Sequence, residues 1–459
     1  MTQPNPSQTI FALATAPGRA GIAVLRLSGP LVRDVFAAFG VPVPPPRCAK
    51  RAVFRDISTN EILDNGLVLF FPGPASYTGE DVAEFHLHGS RAVISAFIAI
   101  LGKLPGLKLA EPGEFTRRAF EHGKLDLTEA EAVADLVEAE TEAQRRQALR
   151  QLSGALGELY EAWRARLLRQ LAHCEAEIDF PDEGLPEHLS EAIRGEIETL
   201  LSEISAHLAD NRRGERLRDG ISIAIIGPPN AGKSSLLNAL AKRDAAITSA
   251  IAGTTRDVIE IYLDLAGYPV ILADTAGIRD VGDTIEAEGV RRARKRAAEA
   301  DLVLLVLDIT RPDEAASLAA NLTGADTLIL ANKIDLLPAG DLGLEVEMGP
   351  EIWADRLGPG QALKLSVATG IGMEDLLTRL EQEIAGRFQA TGAPLITRAR
   401  HRTSLEECAV SLRRFASAPL PELAAEDLRL AARALGRITG RVDVEDMLDI
   451  IFREFCIGK

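Results

Sequence analysis

A glycine-rich run that follows an apolar segment is the strongest chemical signal in this 459-residue chain. The run Gly227-Pro-Pro-Asn-Ala-Gly-Lys-Ser234 matches the pattern G-x-x-x-x-G-K-[ST], and the apolar residues 221–226 precede it. In such a loop, backbone N–H groups and a helix N-terminus bind phosphates, while the lysine reaches the β and γ oxygens and the hydroxyl binds Mg²⁺. We therefore expect Lys233 to contact nucleotide phosphates and Ser234 to ligate Mg²⁺.

Further elements follow in the order that a GTPase requires. Gly253-Thr-Thr255 offers a threonine hydroxyl to Mg²⁺, and Asp274-Thr-Ala-Gly277 offers a carboxylate near the metal and an amide near the γ-phosphate. Asn332-Lys-Ile-Asp335 ends in a carboxylate that can accept from N1–H and the exocyclic amine of guanine, a donor pair that adenine lacks. Ser366-Val-Ala368 is expected to close over the base. The order of these elements predicts a GTP-hydrolysing domain.

The residue that orients the attacking water is not evident from these motifs. Many GTPases carry glutamine directly after the Asp-x-x-Gly element, but this chain has Ile278, whose aliphatic side chain cannot hold water. The following segment offers four carboxylates that could do so, and each could equally belong to a solvated loop. They are Asp280, Asp283, Glu286 and Glu288.

Composition excludes several classes of protein. Apolar runs are far shorter than the roughly 20 residues that cross a bilayer, and the first residues lack a secretory signal, so we expect a cytoplasmic protein without a membrane partner. The net charge of -16 argues against non-specific coating of nucleic acid, so any RNA contact must be local. Four scattered cysteines suit neither a disulfide framework nor a zinc site.

The pattern of apolar residues changes along the chain and indicates several domains. Residues 1–123 are typical of a mixed α/β domain, and the apolar residues between Leu149 and Leu167 recur every three or four positions, which predicts one long helix. Residues 220–386 alternate strand-like and helix-like runs, and helical patterning returns in 387–459. We therefore expect a helical domain split by an inserted domain, whose buried parallel strands are predicted at 221–226, 270–273, 302–309 and 327–331.

Motifs at both ends of the chain, added to those of the GTPase, resemble the tRNA-modification GTPase family called MnmE or TrmE. They are Pro17-Gly-Arg-Ala-Gly-Ile-Ala, Tyr77-Thr-Gly-Glu-Asp, Pro112-Gly-Glu-Phe-Thr-Arg-Arg-Ala-Phe, Gly123-Lys-Leu-Asp-Leu, Ile178-Asp-Phe-Pro-Asp-Glu and Phe455-Cys-Ile-Gly-Lys459. The resemblance implies an α/β and α protein. Its parts are an N-terminal α+β folate-binding-like and dimerisation domain at 1–123, a helical domain at 124–219 and 387–459, and an inserted Ras-like P-loop GTPase domain at 220–386.

The resemblance also implies an activity, cofactors and partners. Together with the FAD-containing partner MnmG, a homodimeric and K⁺-dependent GTPase of this family installs the carboxymethylaminomethyl group at C5 of the wobble uridine of certain tRNAs. A 5-formyl- or 5,10-methylene-tetrahydrofolate supplies the one-carbon unit, and Mg²⁺ accompanies GTP. The alternative is a regulatory or ribosome-assembly GTPase switch, but no KH-like loop or aromatic RNA platform is evident in the sequence.

By motif position, the resemblance implies residues for each site. Folate contacts fall on Arg26, Glu84, Lys124 and Lys459, and the catalytic glutamate falls on Glu286. The Mg²⁺ ligands are Ser234 and Thr255, and the K⁺ ligands are Asn230, Ser249, Ile251 and Thr254. The full GTP-binding set is Asn230, Ala231, Gly232, Lys233, Ser234, Ser235, Ser249, Ala250, Ile251, Ala252, Gly253, Thr254, Thr255, Asp274, Thr275, Ala276, Gly277, Asn332, Lys333, Asp335, Ser366, Val367 and Ala368.

Other notable residues receive no role from the sequence. The thiol of Cys456, near the C-terminus, could be a nucleophile, but no base is evident beside it and a buried structural thiol fits at least as well, so it is left unassigned. His86 and His88 alternate on a predicted strand and share a face, which is more typical of surface or core residues than of a metal site. The basic runs 291–296 and 398–402 are expected to be solvated helix faces that could also touch tRNA phosphates.

Overall fold

The structure, a computed structural model, describes residues 8–56, 58–179, 189–242, 260–274, 295, 297–311, 326–337, 362–388, 394–442, 445–453 and 455–458. The chain divides into two compact units. The first comprises Met1–Val137, Ala148–Ala206 and Arg400–Lys459, and the second comprises Glu138–Gln147 and His207–Ala399. In the described ranges, no helix combines the length and the apolar character that crossing a membrane would need.

The described chain contains strands in both units and helices throughout. The strands are β1 (Thr9–Leu13), β2 (Ala20–Ser28), β3 (Lys50–Asp56), β4 (Glu61–Phe71), β5 (Val82–Gly89), β6 (Leu107–Leu109), β7 (Ile221–Ile226), β8 (Glu260–Leu265), β9 (Tyr268–Asp274), β10 (Leu302–Asp308), β11 (Thr327–Asn332) and β12 (Ala362–Lys364). The helices are α1 (Val32–Ala38), α2 (Arg91–Leu101), α3 (Glu114–Glu121), α4 (Leu127–Glu138), α5 (Glu142–Leu152), α6 (Ala155–Asp179), α7 (Leu189–Leu208), α8 (Arg213–Asp219), α9 (Lys233–Ala241), α10 (Met373–Phe388), α11 (Ala399–Ser417), α12 (Pro421–Thr439) and α13 (Glu445–Arg453).

The first unit contains a six-stranded sheet in the order β3-β4-β5-β2-β1-β6. Leu25 of β2 lies opposite Phe85 of β5, and the next pair in the ladder is Arg26 opposite Glu84. Phe85 joins a core that includes Phe36 of α1, with the two ring centroids 5.5 Å apart. Because side chains alternate across a strand, Arg26 and Glu84 lie on the opposite face of the sheet from this core.

The prediction of one long helix through Leu149 and Leu167 is wrong. Helix α5 ends at Leu152 and α6 begins at Ala155, and Gly154 between them has a φ of 88°. A glycine in the left-handed region commonly ends a helix. Leu149 is exposed, whereas α6 buries its own stripe that includes Tyr160 and Leu167. The period of the apolar residues continued across the break and therefore concealed it.

The second unit contains a six-stranded sheet in the order β12-β11-β10-β7-β9-β8. Strands β7 and β9 to β12 run parallel, and β8 is antiparallel to β9. The four predicted strands are confirmed as β7, β9, β10 and β11, while β8 and β12 at the two edges were not predicted. Strand β7 has β9 on one side and β10 on the other, so the strand order reverses at β7. Ligands of open α/β sheets bind at such a reversal, beyond the carboxyl ends of the strands.

Candidate nucleotide-binding and folate-binding sites

The predicted phosphate loop connects β7 to α9 at the reversal of strand order. Gly227 and Gly232 have φ values of 152° and 103°. A Cβ at Gly227 would lie 2.1 Å from Val306 O, and a Cβ at Gly232 would lie 2.2 Å from Asn332 Nδ2. Glycine is required at both positions, because the left-handed backbone and the closeness of the neighbouring strands leave no room for a side chain.

The first turn of α9 presents groups that suit a phosphate and its metal. Lys233 Nζ donates to Pro228 O at 2.8 Å, which holds the ammonium group against the loop. Ser234 and Ser235 are exposed, and Gly232 at the N-cap offers no side-chain cap to the first-turn N–H groups. The positive end of the helix dipole favours an anion here, and the Ser234 hydroxyl is a hard oxygen donor of the kind that Mg²⁺ prefers. Asn230 is exposed with a φ of 62°, and Ala231 is buried.

Asn332 joins the phosphate loop to the predicted base-binding loop. Its Nδ2 donates to Ala231 O at 2.8 Å, and its Oδ1 accepts from Val367 N at 3.1 Å. The side chain is 3% exposed. One amide therefore uses its donor and its acceptor on two loops that are far apart in sequence, and it sets the distance between them.

The base-binding loop places Asp335 beside Ser366. Ser366 Oγ donates to Asp335 Oδ1 at 2.6 Å and accepts from Thr369 N at 3.2 Å. Ser366 is fully buried, whereas Asp335 and Ala368 are exposed at the edge of the sheet. The buried hydroxyl therefore fixes one oxygen of a carboxylate whose other oxygen can accept from a ligand.

One residue of this edge was missed by the sequence analysis. Asp308 ends β10, and its Oδ2 lies 2.6 Å from Lys333 Nζ. Burial of Asp308 favours its neutral form, but its hydrogen bonds with Lys333 and Thr310 outweigh that effect and hold its pKa below the usual value. Its position directly after the apolar run 302–307, at the carboxyl end of β10, was the available signal, because parallel strands bring the residues at their carboxyl ends to one edge.

Several predicted site residues lie outside the described part of the chain. They are Ser249, Ala250, Ile251, Ala252, Gly253, Thr254, Thr255, Thr275, Ala276, Gly277 and Glu286. Asp274 ends β9 at the same edge as the phosphate loop, but its side chain is not described. These assignments stay predictions.

Two of the predicted folate contacts meet on the first sheet. Arg26 Nε and Nη2 donate to Glu84 Oε1 at 3.0 and 2.9 Å, and both side chains are largely buried. Glu84 Oε2 lies 3.4 Å from His86 Nε2. Arg26 Nη1 lies 3.5 Å from Gly458 O, so the C-terminal segment reaches the same place. A second carboxylate oxygen and a guanidinium group are therefore presented together on this face.

The other folate residues are not joined to this pair by described contacts. Lys124 follows α3 and is exposed, and in the described part of the chain its side chain makes no hydrogen bond to Arg26 or Glu84. Lys459 lies outside the described residues. The sequence analysis missed Tyr77, whose ring centroid is 5.9 Å from the Arg26 guanidinium and whose hydroxyl pairs with Thr116 Oγ1 at 2.8 Å. Burial raises the pKa of Tyr77, so the ring stays neutral.

A buried ion network explains two of the sequence motifs near this face. Arg118 is 3% exposed and contacts Glu80 Oε2 at 3.0 Å and Glu114 Oε1 at 3.1 Å. Ser28 Oγ also donates to Glu80 Oε2, at 2.6 Å. The Tyr77-Thr-Gly-Glu-Asp loop and the Pro112-Gly-Glu-Phe-Thr-Arg-Arg segment are therefore fixed to each other and to β2. Their role in the described structure is to shape the face that carries Arg26.

The expectation that residues 398–402 form a solvated basic face is wrong for two of them. Arg400 Nε lies 2.6 Å from Glu131 Oε1, and the fully buried His401 has Nε2 2.9 Å from Glu131 Oε2. Burial alone would raise the pKa of Glu131, but Arg400 and His401 outweigh burial and lower it. These residues stabilise the interior of the first unit rather than a surface.

Comparisons with known proteins agree over nearly the whole chain. A family model described as the MnmE helical domain matches residues 127–456, and one described as the GTP-binding protein TrmE N-terminus matches residues 9–124. A protein of Parvibaculum lavamentivorans named tRNA modification GTPase MnmE is 57% identical over 459 residues, which covers 98% of this chain and 100% of that protein. A protein of Rhodospirillum rubrum with the same name is 54% identical over 463 residues, covering 98% of this chain and 99% of that protein.

A solved structure of the G domain of the T. maritima FeoB iron transporter is 26% identical, covers 36% of this chain and 98% of that chain, and has a TM-score of 0.26. The curated relatives are more than half identical across nearly all of this sequence, and one family model spans most of it. On that basis the chain belongs to the MnmE family, also called TrmE.

Proposed function

We propose that this chain is a GTP hydrolase of tRNA modification that, together with the FAD-containing partner MnmG, installs the carboxymethylaminomethyl group at C5 of the wobble uridine of certain tRNAs. The names of its relatives support the general activity. The single observation that carries the GTP part is the Asn332 side chain, which bonds the phosphate loop and the base loop at once. A site that binds only phosphate would not need this connection.

The described residues suggest how GTP is bound. The Asp335 carboxylate, with one oxygen held by Ser366, accepts from the two donors of the guanine edge. When GTP binds, the Lys233 ammonium exchanges its contact with Pro228 O for the β and γ phosphate oxygens. A charged phosphate oxygen is a stronger partner for the ammonium than a neutral carbonyl oxygen. Ser234 and Thr255 are the residues that would hold Mg²⁺, with the Asp274 carboxylate near the metal, and the ion offsets the charge of the phosphates.

Hydrolysis needs a group that positions water and a source of positive charge. Because Ile278 cannot hold water, we assign that role to Glu286. Asn230, Ser249, Ile251 and Thr254 would hold K⁺, which supplies the charge that an arginine finger supplies elsewhere. A homodimer that brings two GTPase domains face to face would exclude bulk water from the phosphates.

The Arg26 face suits a tetrahydrofolate. A folate carries N–H donors on its pterin and carboxylates on its glutamate, and this face combines the Glu84 carboxylate, whose Oε2 lies 3.4 Å from His86 Nε2, with a guanidinium group. Lys124 and Lys459 add positive charge for the carboxylates. The buried network around Arg118 holds the surrounding loops in place before a ligand arrives.

Guanine recognition is tested by Asp335→Asn. An amide in place of the carboxylate presents a donor to guanine where an acceptor is needed, and it matches the C2 carbonyl of xanthine. We expect the affinity for GTP to fall by about 100-fold or more and xanthosine triphosphate to become the better ligand. Equal GTP affinity in the variant and the wild type would refute the assignment of Asp335.

Folate binding is tested by calorimetry with 5-formyl-tetrahydrofolate. We expect Arg26→Ala and Glu84→Ala to weaken binding strongly, whereas Arg33→Ala, which removes an exposed arginine paired with Asp81 in the same unit, should leave it unchanged. An unchanged affinity in the first two variants would reject this face as the folate site.

The biological role is tested on tRNA itself. Wobble uridines from cells that lack this protein should be without the C5 group when tRNA nucleosides are analysed by mass spectrometry, and the wild-type gene should restore it. Unaltered nucleosides would favour the GTPase switch instead. The K⁺ requirement is tested by comparing GTPase rates in K⁺ and Na⁺ at matched ionic strength, where equal rates would contradict it.

A further inference from the structure

Lys333, in the predicted guanine-binding motif, is held in an unusual conformation. Its φ is 70°, in the left-handed region that non-glycine residues rarely adopt. Its Nζ lies 2.6 Å from Asp308 Oδ2. Since Asp308 pairs with Asn332 across β10 and β11, the lysine side chain spans from the loop after β11 to the end of β10. Both backbone and side chain are therefore set before any ligand binds.

Asp308 is built to hold a charge in one place. Its Oδ1 accepts from Thr310 N at 3.0 Å and from Thr310 Oγ1 at 2.7 Å, which leaves Oδ2 for Lys333. The Asp308 side chain is 9% exposed and that of Lys333 is 29% exposed. An exposed ion pair contributes little because both side chains lose freedom to form it. Here the carboxylate is already fixed by its own turn and by burial, so the freedom lost is mainly that of the lysine.

The two pairs at this edge lie on opposite sides of β11. Ser366 and Asp335 are on the β12 side, and Lys333 and Asp308 are on the β10 side. A base whose edge hydrogen-bonds to Asp335 therefore lies next to the Lys333 side chain. A lysine offers an apolar stem that packs on a ring and an ammonium that is attracted to its π-face.

We propose that Asp308 is a positioning residue for guanine-nucleotide binding, which acts by holding the Lys333 side chain across the base site so that its stem contacts the purine face. This inference rests on the proposed GTP-binding function. Asp308 itself does not touch the base. Without Asp308, Lys333 samples many rotamers. Nucleotide binding must then order the side chain, and the conformational entropy lost lowers the affinity. Because the contact is with the face of the ring and not with its edge, the effect is the same for guanine and for hypoxanthine.

The size of the effect follows from the cost of ordering one long side chain. That cost lowers affinity by about 2- to 10-fold. We expect Asp308→Asn to weaken binding of GDP and of inosine diphosphate by this same factor, with their ratio unchanged. Asp335→Asn, by contrast, changes the ratio, because it alters the edge that distinguishes the two bases.

The test uses the full-length chain and measures displacement of fluorescent methylanthraniloyl-GDP by GDP and by inosine diphosphate. Lys333→Met keeps an apolar stem and removes the ammonium, so it breaks the ion pair from the lysine side. Its affinity for both nucleotides should fall by a similar factor. In the Lys333→Met background, Asp308→Asn should cause no further loss. Asp326→Asn, which removes an exposed carboxylate just before β11 at the opposite end of the sheet, serves as the matched control and should bind normally.

Three outcomes would overturn the inference. Asp308→Asn could bind both nucleotides like the control, could lose the same factor in the wild-type and the Lys333→Met backgrounds, or could change the ratio of the two nucleotides. The second outcome would indicate a structural role that does not act through Lys333. A wild-type chain that binds no guanine nucleotide would instead refute the proposed function, and the two failures are therefore distinguishable.

Discussion

Replacing Asn332 tests whether the phosphate loop and the base loop behave as one unit. The side chain is 3% exposed and makes one hydrogen bond to each loop, through Ala231 O and Val367 N. Asn332→Ala removes both bonds. A buried backbone group that loses its partner costs about 1–3 kcal/mol and a partly buried one costs less, so the two together give about 2–4 kcal/mol. We expect both loops to open more readily and GDP to bind more weakly.

Asn332→Asp keeps one of the two hydrogen bonds and removes the other at neutral pH. The carboxylate can still accept from Val367 N, but it places an oxygen where the donor faced Ala231 O. We expect burial and the facing Ala231 O to raise the pKa of this carboxyl above its unfolded value of about 3.9, against the hydrogen bond from Val367 N. A group whose folded pKa is raised contributes its stability below the unfolded pKa and loses it as the pH rises through the folded pKa. The loss of stability that Asn332→Asp causes relative to wild type should therefore be large at pH 7 and shrink toward pH 4. The loss of stability that Asn332→Ala causes should not depend on pH.

Hydrogen exchange followed by mass spectrometry measures the local opening directly. For peptides that cover β7 with its following loop and β11, a cost of 2 kcal/mol or more corresponds to about 30-fold faster exchange. Asn238→Ala, which removes an exposed asparagine from α9, is the matched control. The GDP dissociation constant, measured from pH 5 to pH 8, supplies the second readout. Exchange and GDP affinity in Asn332→Ala that equal those of the control would refute the reasoning.

Two further predictions concern buried groups of the first unit. Glu131→Gln, which removes the charge that faces Arg400 and His401, should lower the free energy of unfolding by about 3–5 kcal/mol at pH 7. Because the folded pKa of Glu131 is depressed, its contribution exists above the unfolded pKa and is lost at lower pH, so urea unfolding should show the difference shrinking below about pH 4. Burial raises the pKa of Cys174 to about 11 and that of Cys408 to about 12, so iodoacetamide at pH 8 should leave both unmodified in the native chain. Peptide mass spectrometry should find the label on the exposed cysteines, Cys48 and Cys456, instead. Alkylation of Cys408 would contradict its burial.

The sequence alone determined the chemistry that depends on neighbours along the chain. The run from Gly227 to Ser234 is contiguous, so its glycines, lysine and hydroxyl could be interpreted without a fold. Four buried strands of the second sheet were predicted correctly, because a strand buried on both faces is apolar at nearly every position. The fold class and the family followed from these elements and from motifs at the chain ends. The periodic residues from Leu149 to Leu167 predicted one helix where there are two, since Gly154 ends a helix without changing the spacing of the apolar residues.

Only the tertiary structure decided which distant residues act together. Asn332 bonds to Ala231 although 101 positions separate them, and Asp308 holds Lys333 across 25 positions. Neither pairing is visible in a local pattern, because each depends on β10 lying between β7 and β11 with their carboxyl ends at one edge. The meeting of Arg26 with Glu84 likewise depends on the register of β2 against β5. Motifs record which groups a backbone segment carries, while the order and register of strands determine which of those groups come within bonding distance.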